Sequence, residues 1–188
     1  MPVTPFHYPI AKILHQLGGK INLSLPALIV GSMVPDLEVP FISLVSQTQD
    51  RLVLHSLIGG LTLGTTIAVF LTVLVYTPLV GAFFPVNKEN LRQKCAFSGV
   101  VGVSCLIGVL SHVLLDVANH TYNPLFWPLL SAAQTPNPLI QLLGGPDIAS
   151  LLVHGSMGVL FIGICIVNRN NFWEQLLVGD KNKQARQN

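Results

Sequence analysis

The sequence predicts an all-α fold: a small integral-membrane helical bundle with about three clear spans and one discontinuous N-terminal span or hairpin. Two observations carry this. Of 188 residues, 51% are hydrophobic and only 10% charged, with mean hydropathy +0.61, whereas soluble domains run near 25% charged. In addition, three uncharged runs reach the roughly 20 residues that cross a bilayer, with loops or turn-rich stretches between them.

The first fifty residues hold the discontinuous element. Residues 9–18 have the pattern of a short amphipathic helix closed by Gly18-Gly19. The stretch INLSLPALIVGSMV (21–34) is apolar but too short to span, and Pro35-Asp36 ends it. EVPFISLV (38–45) completes an irregular span broken at Pro35; alternatively, the two short segments pair as a half-buried hairpin.

The clear spans follow. No Asp, Glu, Lys or Arg lies between Arg51 and Lys88, and residues 56–77 alone are long enough to cross. Pro78 and Pro85 are expected to close that segment. Residues 95–115 form the second run and 148–168 the third. Gly, Ala, Ser and Thr are frequent in all three, which lets membrane helices approach closely, as in GLTLG (60–64). Two domains of unequal character result: a membrane helical domain over 1–168, and a polar tail over 169–188 expected to be a helical turn followed by a disordered end.

Lys88, Arg92 and Lys94 fall in one loop, and Arg169, Lys181, Lys183 and Arg186 in the tail, while 119–147 has no Lys or Arg. The positive-inside rule puts the loop and the C-terminus in the cytoplasm and 119–147 outside, with Phe126 and Trp127 as interfacial anchors. A net charge of +2 without a basic stripe gives no reason to expect a nucleic-acid partner. Cys95, Cys105 and Cys165 lie in apolar runs without Cys-x-x-Cys spacing and read as small hydrophobes rather than disulfide or thiolate groups.

The chemistry concentrates in SHVLLDVANH (111–120). His112 and Asp116 stand at i, i+4, one helical turn apart on one face. An ionised Asp inside a membrane helix costs roughly 2.5–3.5 kcal/mol at its centre and demands a partner. Imidazole and carboxylate at this spacing suit a divalent metal such as zinc; the plainer reading is an Asp–His pair that staples helices. His7, Asp36, Glu38 and His55 are the other ionisable groups near helix ends. If 1–18 and 21–35 form a hairpin and the 56–77 span runs away from the same end, His7, Asp36, His55, His112 and Asp116 gather at one rim, as bundle metal sites do. Glu38 reads as a base, a residue that orients a ligand, or a solvated group. His154 has no acidic partner at i+4 and reads as a packed histidine. His15 fits the polar face of its helix, and His120 falls beyond the expected helix end.

The stretches TPFH, GSMVPD, HS and LSHVLLDVANHTYNPLFWPL together resemble the membrane-bound metal-dependent hydrolases, and more closely a related uncharacterised bacterial and archaeal membrane family, over roughly residues 1–130. In ligand order that family resembles zinc-dependent phospholipase C and the single-strand-specific zinc nucleases. The resemblance implies His7, Asp36, His55, His112 and Asp116 as metal ligands, with Asp116 bridging two metals. It also implies a phosphoester substrate, lipid or lipid-linked, and a bacterial or archaeal cell membrane. The final His-x-x-x-Glu of those enzymes is missing: His154 is followed at i+4 by Gly158. The expected function is therefore a membrane-bound, zinc-type phosphoester hydrolase with Asp36 and Glu38 as catalytic carboxylates. The alternative is a non-enzymatic membrane protein whose polar stripe is structural or relays protons or ions.

Overall fold

The computed structural model describes residues 4–18, 21–45, 51–121, 123–130 and 137–179. Among them every regular element is helical. A 3-10 turn over Thr4–His7 leads into α1, Tyr8–Leu17. Helix α2, Leu25–Met33, continues through a 3-10 turn at Pro35–Leu37 into α3, Glu38–Val45. The remaining elements are α4 (Leu57–Phe83), α5 (Lys88–Cys95), α6 (Gly99–Val117), α7 (Pro138–Leu142), α8 (Pro146–Val167) and α9 (Phe172–Leu177).

Four stretches are long and apolar enough to cross a membrane: Leu25–Val45, α4, α6 and α8. This matches the expected three clear spans and one broken span, with the break at Pro35. Both N-terminal readings hold in part, because α1 packs back on α2 as a hairpin while α2 and α3 form the interrupted span. Ser24 starts α2 by accepting a hydrogen bond from the Ala27 amide, and Ser98 starts α6 in the same way through Val101; such caps contribute about 1 kcal/mol each.

Two expectations are corrected. Pro78 does not end the second span, and α4 runs on to Phe83. A wide π turn over Thr72–Tyr76 precedes it, and such i→i+5 turns break the regular ladder in which a proline clashes and removes a donor. His15 is not on a polar face: it is buried, and its Nδ1 donates to the Leu23 carbonyl at 2.7 Å. The predicted disordered end, with Lys181, Lys183 and Arg186, lies outside the described residues from 180 onward.

Helix α6 is the centre of the bundle. It packs most extensively on α2, and the contact is closest where two glycines meet. A Cβ at Gly31 would stand 2.5 Å from the Cys105 carbonyl oxygen, and one at Gly108 2.6 Å from that of Leu28. Only hydrogen fits on either side, so the two backbones touch. Helix α8 is the opposite case: 6% of its apolar window is buried, against 44% for α6. It rests on α1 and the turn before it.

The short α9 folds back against the bundle. Its last carbonyls are each held by a side chain from elsewhere: Lys12 Nζ donates to Gln175 O at 2.6 Å, Tyr8 to Leu176 O at 2.9 Å, and Tyr76 to Leu177 O at 2.9 Å. A cation at a helix C-terminus also meets the negative end of its dipole. Glu174 reaches the start of α5, accepting from the Asn87 amide and the Asn90 side chain. The α5 loop and α9 therefore share one end of the bundle.

Candidate metal centre

At the other end the chain brings its ionisable residues together. Asp36 lies in the turn after α2, His55 just before α4, and His112 and Asp116 in the last two turns of α6. His7, at the foot of α1, completes the group. His7, His55, His112 and Asp116 are essentially inaccessible to solvent. All five residues expected from the sequence converge.

Four atoms form the heart of the site. His55 Nε2 lies 3.3 Å from His112 Nε2, 3.4 Å from Asp116 Oδ2 and 3.8 Å from Asp36 Oδ1. His112 Nε2 lies 3.5 Å from Asp36 Oδ1 and 3.6 Å from Asp116 Oδ2. Ligands at zinc distances of 2.0–2.2 Å stand about 3.3–3.6 Å apart at the corners of a tetrahedron. These five separations, each to a histidine nitrogen, are at or within a few tenths of an ångström of that length.

The rings are set in the matching tautomer. His112 Nδ1 is 2.7 Å from the Ser32 carbonyl oxygen, which can only accept, so Nδ1 carries the proton. His55 Nδ1 donates to Glu38 Oε1 at 2.7 Å. Both Nε2 atoms therefore turn lone pairs toward the same point, where they repel unless a proton or cation lies between them. Outer partners of this kind are what fix metal-binding histidines.

Glu38 organises the rim. Besides His55 it accepts from the Leu52 amide and the Leu54 amide, each at 2.7 Å. Its two oxygens are thereby occupied by the segment that carries His55. This places Glu38 as the residue that holds that segment over the site.

A second trio shares the first. His7, His112 and Asp116 also offer ligand atoms within 4.8 Å of one another. The His7 ring stacks on His112, with centroids 3.8 Å apart and planes 18° from parallel. Neither nitrogen of His7 has a hydrogen-bond partner, and neither has Asp116 Oδ1. Each such orphan costs about 1–3 kcal/mol, and one His7 nitrogen with Asp116 Oδ1 and His112 makes a place where an ion could sit. His7 is held neutral: burial, then the adjacent His112, push its pKa down to about 4. His55 goes the other way. Burial opposes its charge, but the nearby Asp36 carboxylate, the hydrogen bond to Glu38 and, behind them, Asp116 raise its pKa.

Arg51 was not foreseen. It is 7% exposed, and its Nε lies 3.2 Å from Asp116 Oδ2. The clue was charge balance: three buried or half-buried carboxylates in an apolar setting require a cation, and Arg51 is the last before the long uncharged run. Against Asp36, Glu38 and Asp116 it leaves two negative charges for a bound cation to meet.

The other histidines stand apart from the four-atom core. His154 bonds the Ser150 carbonyl oxygen within its own helix and meets the Phe6 ring edge-on. His120 follows the end of α6, yet folds back to place Nε2 3.7 Å from Asp116 Oδ1.

A family model described as a domain of unknown function, DUF4184, matches residues 1–187. The chain belongs to this family. No curated protein and no solved structure matches it. Nothing in these comparisons supports the likeness to phospholipase C or the zinc nucleases, and the case for a metal in this DUF4184 protein rests on His/Asp groups that could hold one.

Proposed function

We propose that this membrane protein is a metal-dependent hydrolase of phosphoesters, lipid or lipid-linked, with zinc as the resident metal. The observation that carries the reading is the convergence of Asp36 and Asp116 on the His55 and His112 Nε2 atoms, at 3.4–3.8 Å, with both imidazoles set in the metal-binding tautomer. These four would hold one ion, and His7 with Asp116 a second. Bound there, a divalent ion supplies Lewis acidity toward a phosphoryl oxygen and makes water nucleophilic near neutral pH. The chain's own residues do the rest. Glu38 keeps His55 aimed at the site, Arg51 steadies Asp116, and the apolar bundle limits access of bulk water. The phosphoester class is supported by ligand order and by the guanidinium at the rim, which suits an anionic ester.

The contact between α9 and α5 puts the basic loop and the described part of the tail at the same end. With the positive-inside rule, that supports a cytoplasmic C-terminus and a metal centre near the opposite face, in the cell membrane of a bacterium or archaeon.

Metal analysis of protein purified in detergent tests the reading. We expect zinc or another divalent ion in the wild type, its loss in His112→Ala, and metal-dependent cleavage of a phosphodiester. Absence of metal from both proteins would overturn it. A second reading has one observation in its favour: Asp116, His55 and Glu38 form a row of contacts at 3.4 and 2.7 Å, and buried carboxylates and imidazoles in such rows serve as proton relays. A relay would pass protons across liposomes in the presence of chelator; the hydrolase would not.

A further inference from the structure

An apolar groove runs between the first span and α4. Val34 and Leu37 line one wall, Leu71, Val75 and Leu79 the other. Tyr76 also lines it, but its hydroxyl donates to the Leu177 carbonyl, so the phenol presents ring and no free donor. Residues 30–37 and 71–79 make the walls about 10–12 Å long at 1.5 Å per helical residue. Met33, Leu37, Val75 and Leu79 are 41–53% exposed and belong to membrane-crossing stretches, so the groove opens toward the bilayer. Leu37 ties it to the site, because its chain neighbours are Asp36 and Glu38.

We propose that this groove seats one hydrocarbon chain of the lipid whose phosphoester is cleaved, and so sets the chain selectivity of the enzyme. The proposal rests on the hydrolase reading. A lipid in the leaflet nearest the centre has its phosphate at the depth of the membrane boundary and its chain pointing inward. The groove has Leu37, the residue after Asp36, in one wall, and its other wall runs toward the end of α4 away from the metal centre, which is the same direction. A wall without polar groups recognises methylenes and nothing else, so head-group recognition falls to the metal centre and chain recognition to residues 30–37 and 71–79.

The test uses the full chain in nanodiscs containing a diacyl phospholipid with a diazirine midway along one chain. Photolysis and peptide mapping are expected to place crosslinks on 30–37 and 71–79 in excess over the outward face of α8, where Leu151 and Ile162 are 72% and 60% exposed. Val75→Trp, which fills the groove from a half-exposed position, is expected to remove the excess. The same variant should raise KM about tenfold for a long-chain phospholipid and leave cleavage of water-soluble bis(4-nitrophenyl) phosphate unchanged. Crosslinks spread evenly over all spans would mean ordinary boundary lipid, and chain-to-chain crosslinks would mean a second copy; either overturns the proposal. Failure of the hydrolase reading is a separate result: no metal and no cleavage of the soluble ester, whatever the crosslinks show.

Discussion

Glu38→Gln separates a residue that orients a ligand from one that takes a proton in the reaction. In the wild type Oε1 accepts from Leu52 N and His55 Nδ1, and Oε2 from Leu54 N. Glutamine has one oxygen. Placed at the Oε1 position it keeps two of the three bonds and turns an NH2 toward the Leu54 amide. One charge-assisted bond is lost, worth about 1.5–3 kcal/mol, and a buried N–H is stranded, so destabilisation of about 3 kcal/mol follows. His55 keeps its tautomer but loses an anionic partner, a change that typically weakens metal affinity 10–100-fold. Competition with a chromogenic chelator reads the affinity, and thermal unfolding in nanodiscs reads the stability. The expected result is a parallel fall in both, with activity restored at high metal concentration. Unchanged metal affinity with a rate down by more than about a hundredfold would refute this role, and would assign Glu38 to the base catalysis that contributes factors of that size.

Three other outcomes are expected. Gly31→Ala should lower the unfolding temperature sharply, since its Cβ would overlap the Cys105 carbonyl and overpacking costs about 1–3 kcal/mol; Gly163→Ala, which meets nothing within 4 Å, should be neutral or stabilising. In metal-free protein, His7 contributes full stability above pH 6.5, where it is neutral folded and unfolded; as pH falls from 6.5 toward 4 the unfolded chain takes the proton first, and about 3 kcal/mol is lost. Subtracting the pH–stability curve of His7→Gln isolates that slope, and identical curves would show that His7 is not buried as described. Arg51→Met should lower kcat/KM for a phosphodiester at least tenfold while metal content holds, with partial recovery in Arg51→Lys; loss of metal in step with activity would make Arg51 a support for the ligands alone.

Much of this was legible in the sequence, and the reasons are physical. The spans declare themselves because a bilayer tolerates few charges, so each remaining ionisable residue is conspicuous. The His112–Asp116 pair could be read from helical periodicity alone, and His7, Asp36 and His55 by their places at helix ends. What could not be read depends on tertiary contact. Pro78 looked like a terminus because the π turn that admits it has no sequence signature. His15 looked solvated because nothing local announces that Leu23 turns a carbonyl toward it. Lys12 is buried against a carbonyl of Gln175, more than 160 positions away, a contact that no local pattern announces. Arg51 required knowing that its side chain meets Asp116, 65 positions along the chain.

The docking of α9 bears on how the protein is made. Tyr8, the residue after His7, finds its partner carbonyl 168 positions downstream, and Lys12 does the same 163 positions on. A ribosome feeding the chain into the membrane delivers Asp36, His55, His112 and Asp116 long before it delivers residues 175–177. During synthesis the four-atom core can assemble while α1 still lacks these tethers. A nascent chain stalled after α6 would have α1 resting on α2 and α6, and would carry the centre without the two bonds that tie α1 to α9.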